Sequence, residues 1–253
     1  MAKVLVLGGT TEASALARLL ATQGVDAMLS YAGRTQNPLA QPVPVRVGGF
    51  GGAEGLAGYL RENGVTHLVD ATHPFAATMS ANAMIAARLA GVAHIALTRP
   101  AWQPAQHDRW TCVGDIPAAV AALCGPARRV FLALGRMHVA EFAVQPQHHY
   151  TLRFVDQPDA LPILPRHSLI VDRGPFTLAG DRALLQAQAI DLIVCKNAGG
   201  TGAAAKLAVA RELGLPVLMI DRPRLPERRE VHEPAEVLEW LAHATPAGAE
   251  RGV

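Results

Sequence analysis

The chain is 253 residues long and half hydrophobic, enough for one large domain or two small ones with apolar cores. Twenty-three Lys and Arg against 21 Asp and Glu leave a formal charge of +2, which excludes the concentrated basic excess of a nucleic-acid binder. Any positive field must therefore be local. Three widely spaced cysteines, Cys112, Cys124 and Cys195, offer neither a zinc spacing nor a disulfide framework and suit a reducing cytoplasm.

In the first half, short apolar runs rich in β-branched residues alternate with Ala/Leu-rich helical runs, the pattern of repeated βαβ units around parallel sheets. Strands are expected at 3–7, 26–31, 43–47, 67–71 and 93–98. Helices are expected at 12–22, 53–63 and 76–90, each closing near a glycine. Between 99 and 110 the periodicity lapses around Pro100 and Pro104, so a boundary is expected there, dividing 1–103 from 104–253. The alternation then resumes, with strands at 130–134, 150–155, 169–171, 192–195 and 217–220 and a last helix at 235–242. The small, polar tail beyond Thr245 is expected to fray. Arg88 and His94 break the Ala-rich stretches, and Glu12 interrupts a faint likeness to a signal peptide, so no membrane segment is expected.

The first strand runs into Gly8-Gly9-Thr10-Thr11-Glu12-Ala13 and then a helix, whose first N–H groups would meet a pyrophosphate. The spacing departs from G-x-G-x-x-G, with Thr10 at the second glycine position and Ala13 at the third. An ordinary glycine-rich turn in a domain binding something else would read the same way. After the second strand, Ser30-Tyr31-Ala32-Gly33-Arg34 places a hydroxyl and a guanidinium where NAD sites usually place a carboxylate. That suits the 2′-phosphate of NADPH, unless Arg34 is a solvated loop charge. Gly49 and Phe50 follow the third strand and Thr72 and His73 the fourth, again at strand C-terminal ends. His73 would meet the nicotinamide or the substrate and could move a proton, or would simply cap the next helix.

Three later loops set a turn residue beside a positive side chain: Gly135-Arg136, Asp172-Arg173-Gly174-Pro175-Phe176 and Lys196-Asn197-Ala198-Gly199-Gly200-Thr201-Gly202. Parallel strands bring such ends to one edge. Arg136, Arg173 and Lys196 would then converge on a ligand with several carboxylates, with Gly174, Asn197, Gly199, Gly200 and Thr201 beside them. The last loop reads as an anion nest or as a glycine-rich turn with solvated lysines. It lacks the spacing G-x-x-x-x-G-K-[ST], so ATP hydrolysis is not expected, and no G-x-S-x-G or H-E-x-x-H occurs. The ten histidines are scattered, and the His148-His149 pair is expected in a solvated polar turn, so no metal is called for.

Together, Leu-Gly-Gly-Thr-Thr-Glu-Ala at 7–13, Asp-Ala-Thr-His-Pro-Phe-Ala at 70–76, Asp-Arg-Gly-Pro-Phe at 172–176 and Lys-Asn-Ala-Gly-Gly at 196–200 resemble the precorrin-6A reductases of cobalamin biosynthesis, cobalt-precorrin-6A counterparts included. The resemblance covers nearly the whole chain. It implies an α/β fold of two Rossmann-like lobes with parallel sheets and an interlobe active-site cleft, with NADPH on the first lobe and a polycarboxylate tetrapyrrole-derived substrate. It also implies reduction of one double bond of precorrin-6A to give precorrin-6B. His73 and Lys196 are then the candidate catalytic residues. Gly8, Gly9, Thr10, Thr11, Glu12, Ser30, Tyr31, Arg34, Gly49, Phe50, Thr72 and His73 are the candidate cofactor contacts. Neighbouring pathway enzymes are further candidate partners. Two other readings stand beside this one: an NADPH-dependent reductase of another small anionic substrate, and a non-catalytic dinucleotide-sensing module.

Overall fold

A computed structural model of the chain describes residues 2–33, 40–158, 160 and 163–243. Arg34 and the tail beyond Thr245 lie outside them. The chain divides into two units, Met1–Pro100 with Arg224–Val253, and Ala101–Pro223.

In the first unit, β1 (Lys3–Leu7), β2 (Asp26–Tyr31), β3 (Val45–Val47), β4 (His67–Asp70) and β5 (Ala93–Leu97) are linked by α1 (Thr11–Thr22), α2 (Gly52–Glu62) and α3 (Ala77–Ala90). Val4 to Leu7 of β1 are each 1% exposed, and alternation decides which face each one fills. Val4 and Val6 pack with Ala13, Leu16, Ala17 and Leu20 of α1, while Leu5 and Leu7 pack with Leu56 and Leu60 of α2 and Ala83 and Ala87 of α3. A strand covered on both faces carries the unbroken apolar run that marks a central parallel strand.

The second unit opens with β6 (Arg109–Val113) and α4 (Ile116–Ala122), then β7 (Arg129–Ala133), a 3-10 helix (Arg136–Val144), β8 (His149–Phe154) and β9 (His167–Val171). It closes with α5 (Leu178–Ala187), β10 (Leu192–Lys196), α6 (Ala205–Leu213) and β11 (Pro216–Ile220). Phe131, Ile193, Cys195 and Met219 of its sheet pack with Leu185, Leu207 and Ala210 of α5 and α6. The chain then re-enters the first unit through β12 (Glu230–Val231) and α7 (Pro234–His243).

Among the described residues each sheet has six parallel strands, ordered β3-β2-β1-β4-β5-β12 and β9-β8-β7-β10-β11-β6. Each has the 3-2-1-4-5-6 arrangement of a dinucleotide-binding fold, with the strand order reversing between its first and fourth strands. The sixth strand is the exception to chain order: β12 comes from the far end of the sequence, and β6 precedes the five strands it joins.

The expected second domain, 104–253, is corrected by that return. Ala96 N donates to Arg229 O at 3.0 Å and Thr98 N to Val231 O at 2.9 Å, which holds β12 on β5. Val237 and Trp240 of α7 complete the core beneath α1. The boundary expected within 99–110 falls between Pro100 and Ala101, and β6 already opens at Arg109. His148 is not solvated either: it is 1% exposed, its Nδ1 accepts from Arg128 N at 3.1 Å, and its Nε2 lies 2.8 Å from Leu123 O. The imidazole serves as partner to two main-chain groups there, which the polar neighbours in the sequence conceal. Among the described residues no helix is long and apolar enough to cross a membrane.

Candidate functional site

In the first unit β1 feeds α1 on one face of the sheet and β4 feeds α3 on the other, so a crevice opens between the C-terminal ends of β1 and β4. Gly8 and Gly9 line its start. A Cβ on Gly8 would stand 2.6 Å from Leu29 Cδ1, and Gly9 has φ +120° with nothing within 4 Å of its Cβ position. A side chain at Gly8 would have to displace the Leu29 tip, the backbone of Gly9 favours glycine, and Gly9 leaves room for a ligand to approach the main chain. Thr10 caps α1: its hydroxyl accepts from Ala13 N at 3.1 Å and donates to Ala71 O at 2.8 Å, across the crevice. That hydroxyl shapes the turn. Thr11 Oγ1 donates to Glu12 Oε2 at 3.1 Å, and Glu12 faces Arg99 at 3.8 Å. Arg99 Nε is buried without a hydrogen-bond partner. A bare backbone turn, a helix N-terminus and an orphaned guanidinium donor together fit a diphosphate.

At the ends of β2 and β3, Gly8 N donates to Ser30 O at 2.9 Å and Gly48 N to Tyr31 O at 2.9 Å. Arg46, which the motif reading passed over, sends Nη1 to Ser30 Oγ at 3.0 Å and to Gly48 O at 2.9 Å, and Nη2 to Gly49 O at 3.2 Å. Its guanidinium lies 3.8 Å from the ring centre of Phe50. The only signal for it was the run of glycines after it, whose carbonyls it gathers.

At the end of β4, Asp70 Oδ1 accepts from Thr72 N at 3.1 Å and Thr72 Oγ1 at 2.6 Å, while Oδ2 accepts from Arg228 at 2.7 Å. Thr72 is thus held as part of a turn. His73 Nδ1 accepts from Phe75 N at 3.2 Å, which places the proton of the neutral ring on Nε2. His94, on neighbouring β5, has a buried Nε2 with no partner. Burial lowers its pKa below the ordinary 6.5 and Arg228 lowers it further, against the pull of Asp70. The unfolded chain therefore takes up this proton first, and stability should fall as pH drops below about 6.5. His94→Leu should shrink the difference in urea midpoint between pH 7.5 and 5.5; an undiminished difference would assign the slope to other groups.

In the second unit Arg136 and Arg173 follow β7 and β9 and Lys196 ends β10, so all three stand at the C-terminal edge of one sheet. Lys196 and Arg136 flank the strand reversal. Arg173 lies three strand spacings from Lys196, roughly 14 Å, a span suited to a broad ligand. Arg173 also faces Asp156 at 2.7 Å, so an incoming carboxylate would compete for it. Asn197 is engaged at both ends of its carboxamide: Oδ1 accepts from Trp102 N at 2.8 Å and Nδ2 donates to Trp102 O at 3.0 Å. Trp102 Nε1 donates to Gly200 O at 2.8 Å. Gly199 and Gly200 have φ of +71° and +72°, the paired left-handed backbone that only glycine adopts readily. Phe176 N donates to Gly202 O at 3.3 Å, joining the loop that carries Arg173 and Gly174 to the loop that carries Thr201. Among the described residues no group of three or more His, Cys, Asp or Glu could hold a metal ion.

The family model for Precorrin-6x reductase CbiJ/CobK matches residues 3–242. The chain belongs to this family. That membership makes it an oxidoreductase. A precorrin-6A reductase of Rhodobacter capsulatus is 54% identical over 98% of this chain and 100% of its own. A solved structure of CobK precorrin-6A reductase shares 54% identity, covering 98% of this chain and 100% of its own, at a TM-score of 0.92. A cobalt-precorrin-6A reductase of Priestia megaterium is 30% identical over 88% of this chain and 91% of its own. In this CbiJ/CobK chain the glycine-rich crevice and the cationic edge lie on different units.

Proposed function

We propose that the protein reduces one double bond of precorrin-6A to give precorrin-6B in cobalamin biosynthesis, with NADPH as reductant. The observation that carries this reading is full-length likeness to a precorrin-6A reductase at 54% identity. Likeness to the relative named for the cobalt-containing ring is much lower, at 30%, and favours the metal-free substrate. The two units support a division of labour, with the dinucleotide on the first and the polycarboxylate ring on the second.

When bound, the nicotinamide supplies a hydride to a ring carbon, and the protein contributes position and electrostatics. Gly8, Gly9 and the start of α1 receive the diphosphate through backbone N–H groups, with Thr11 and Glu12 in that first turn. Ser30, Tyr31, Gly49 and Phe50 line the adenosine half at the ends of β2 and β3. Thr72 and His73 stand at the end of β4, on the nicotinamide half of the fold, where His73 Nε2–H is the candidate proton donor to the carbon beside the one reduced. Arg136, Arg173 and Lys196, with the backbone of Gly174, Gly199, Gly200 and Thr201, hold the acetate and propionate groups and so fix which face of the ring is presented.

The test is anaerobic turnover of precorrin-6A with NADPH and, separately, NADH, following cofactor oxidation and the mass of the ring. A gain of two hydrogens with NADPH preferred is the expected result. NADPH binding with no change in either precorrin-6A or its cobalt form would overturn the catalytic reading in favour of a sensor. Reduction of the cobalt form alone would overturn the choice of substrate.

A further inference from the structure

We infer that Arg46 recognises the 2′-phosphate of the dinucleotide and thereby sets the preference for NADPH over NADH. This rests on the proposed NADPH site of the first unit. In the parallel pairing of β2 with β3, Arg46 stands directly opposite Ser30. Ser30 is itself one hydrogen bond from the glycine turn, through Gly8 N. A dinucleotide whose diphosphate lies at that turn places its adenosine ribose at the end of β2, where a carboxylate selects NAD by binding the ribose hydroxyls and an arginine accommodates the 2′-phosphate. Here the position holds a serine hydroxyl with a guanidinium bonded to it.

The chemistry of the Arg46 contacts makes it more than a brace. Its acceptors, Ser30 Oγ, Gly48 O and Gly49 O, are all neutral. Arg99, Arg153, Arg173 and Arg228 each face a carboxylate instead. The Arg46 charge is therefore held in place but not neutralised by any described residue. Described residues engage three of its five N–H donors, two on Nη1 and one on Nη2, and leave Nε–H and one Nη2 hydrogen of the same guanidinium for a ligand. Two adjacent donors of this kind pair with phosphate oxygens side by side, as a lysine ammonium does not. Phe50 packs on the guanidinium and keeps the plane from turning. Ordering the donors in advance reduces the entropy lost when the phosphate arrives.

Calorimetric titration of the full chain with adenosine 2′,5′-bisphosphate and with AMP reads the 2′-phosphate directly, without turnover. The wild-type protein should bind the bisphosphate at least about tenfold more tightly, in keeping with a charge-assisted pair. Arg46→Gln should remove most of that advantage while leaving AMP affinity and the melting temperature nearly unchanged, and Arg46→Lys should restore only part of it. Equal loss of both ligands in Arg46→Gln would overturn the inference and make Arg46 a brace for the loop. Discrimination retained in Arg46→Gln but lost in Arg34→Ala would transfer the role to Arg34. A wild-type protein that does not distinguish the two ligands would instead remove the NADPH reading, and this assignment with it.

Discussion

Replacing Arg228 with alanine is expected to destabilise the first unit by about 3–5 kcal/mol, because it leaves a buried carboxylate without its counter-charge. The Asp70 side chain is 1% exposed and the Arg228 side chain 8%, and they meet at 2.7 Å. Thr72 supplies two further hydrogen bonds to Asp70, but neither carries a charge. Arg228 also bonds Glu230 at 2.9 Å, so its loss loosens β12 as well. Urea unfolding at pH 7.5 checks this, with Arg173→Ala as the control. Arg173 faces Asp156 with 45% of its own side chain exposed, and exposed pairs contribute about 0–1 kcal/mol. Similar losses for the two variants would mean that Asp70 is rehydrated at little cost. Function should follow stability, because the same aspartate holds the turn that leads to His73.

Lys196→Ala is expected to raise the Michaelis constant for precorrin-6A by roughly 10- to 100-fold, the effect of removing one charge-assisted hydrogen bond to a carboxylate. Lys196 ends β10 beside the strand reversal of the second sheet, across from the turn that starts with Gly135. NADPH affinity should be unchanged, since the cofactor is assigned to the other unit. Steady-state kinetics with varied precorrin-6A, together with NADPH titration of the variant, measure both. An unchanged constant for precorrin-6A would remove Lys196 from the substrate site. Loss of NADPH binding alone would reverse the division of labour.

Much of the backbone geometry of the candidate site was legible because its parts are local. A Gly-Gly-Thr run after an apolar strand needs only its own neighbours to become a tight turn and a helix cap, and Thr10 does cap α1. The three cationic loops were legible in the same way, since each cation stands at the end of a strand or within three residues of it. Arg46 was not. Its significance depends on Ser30, 16 positions earlier, and on carbonyls that the glycine loop turns back towards it. Asn197 was legible as a loop residue but not as a clamp, since its partner Trp102 is 95 positions away. His148 looked solvated among polar neighbours, yet it is sealed by Leu123 and Arg128.

The sequence by itself determined the alternating α/β pattern, the glycine turn after β1 and the placement of cations at the C-terminal ends of β7, β9 and β10. Each follows from side-chain period, backbone freedom or charge within about ten residues. Only the tertiary structure decided which strands complete the two sheets. β12 has two residues, too few to show any period, and it is a strand because Ala96 and Thr98 of the first unit offer it N–H groups. Long-range main-chain pairing of that kind leaves no mark in local composition, so residues at the far end of the chain joined the first unit rather than the second.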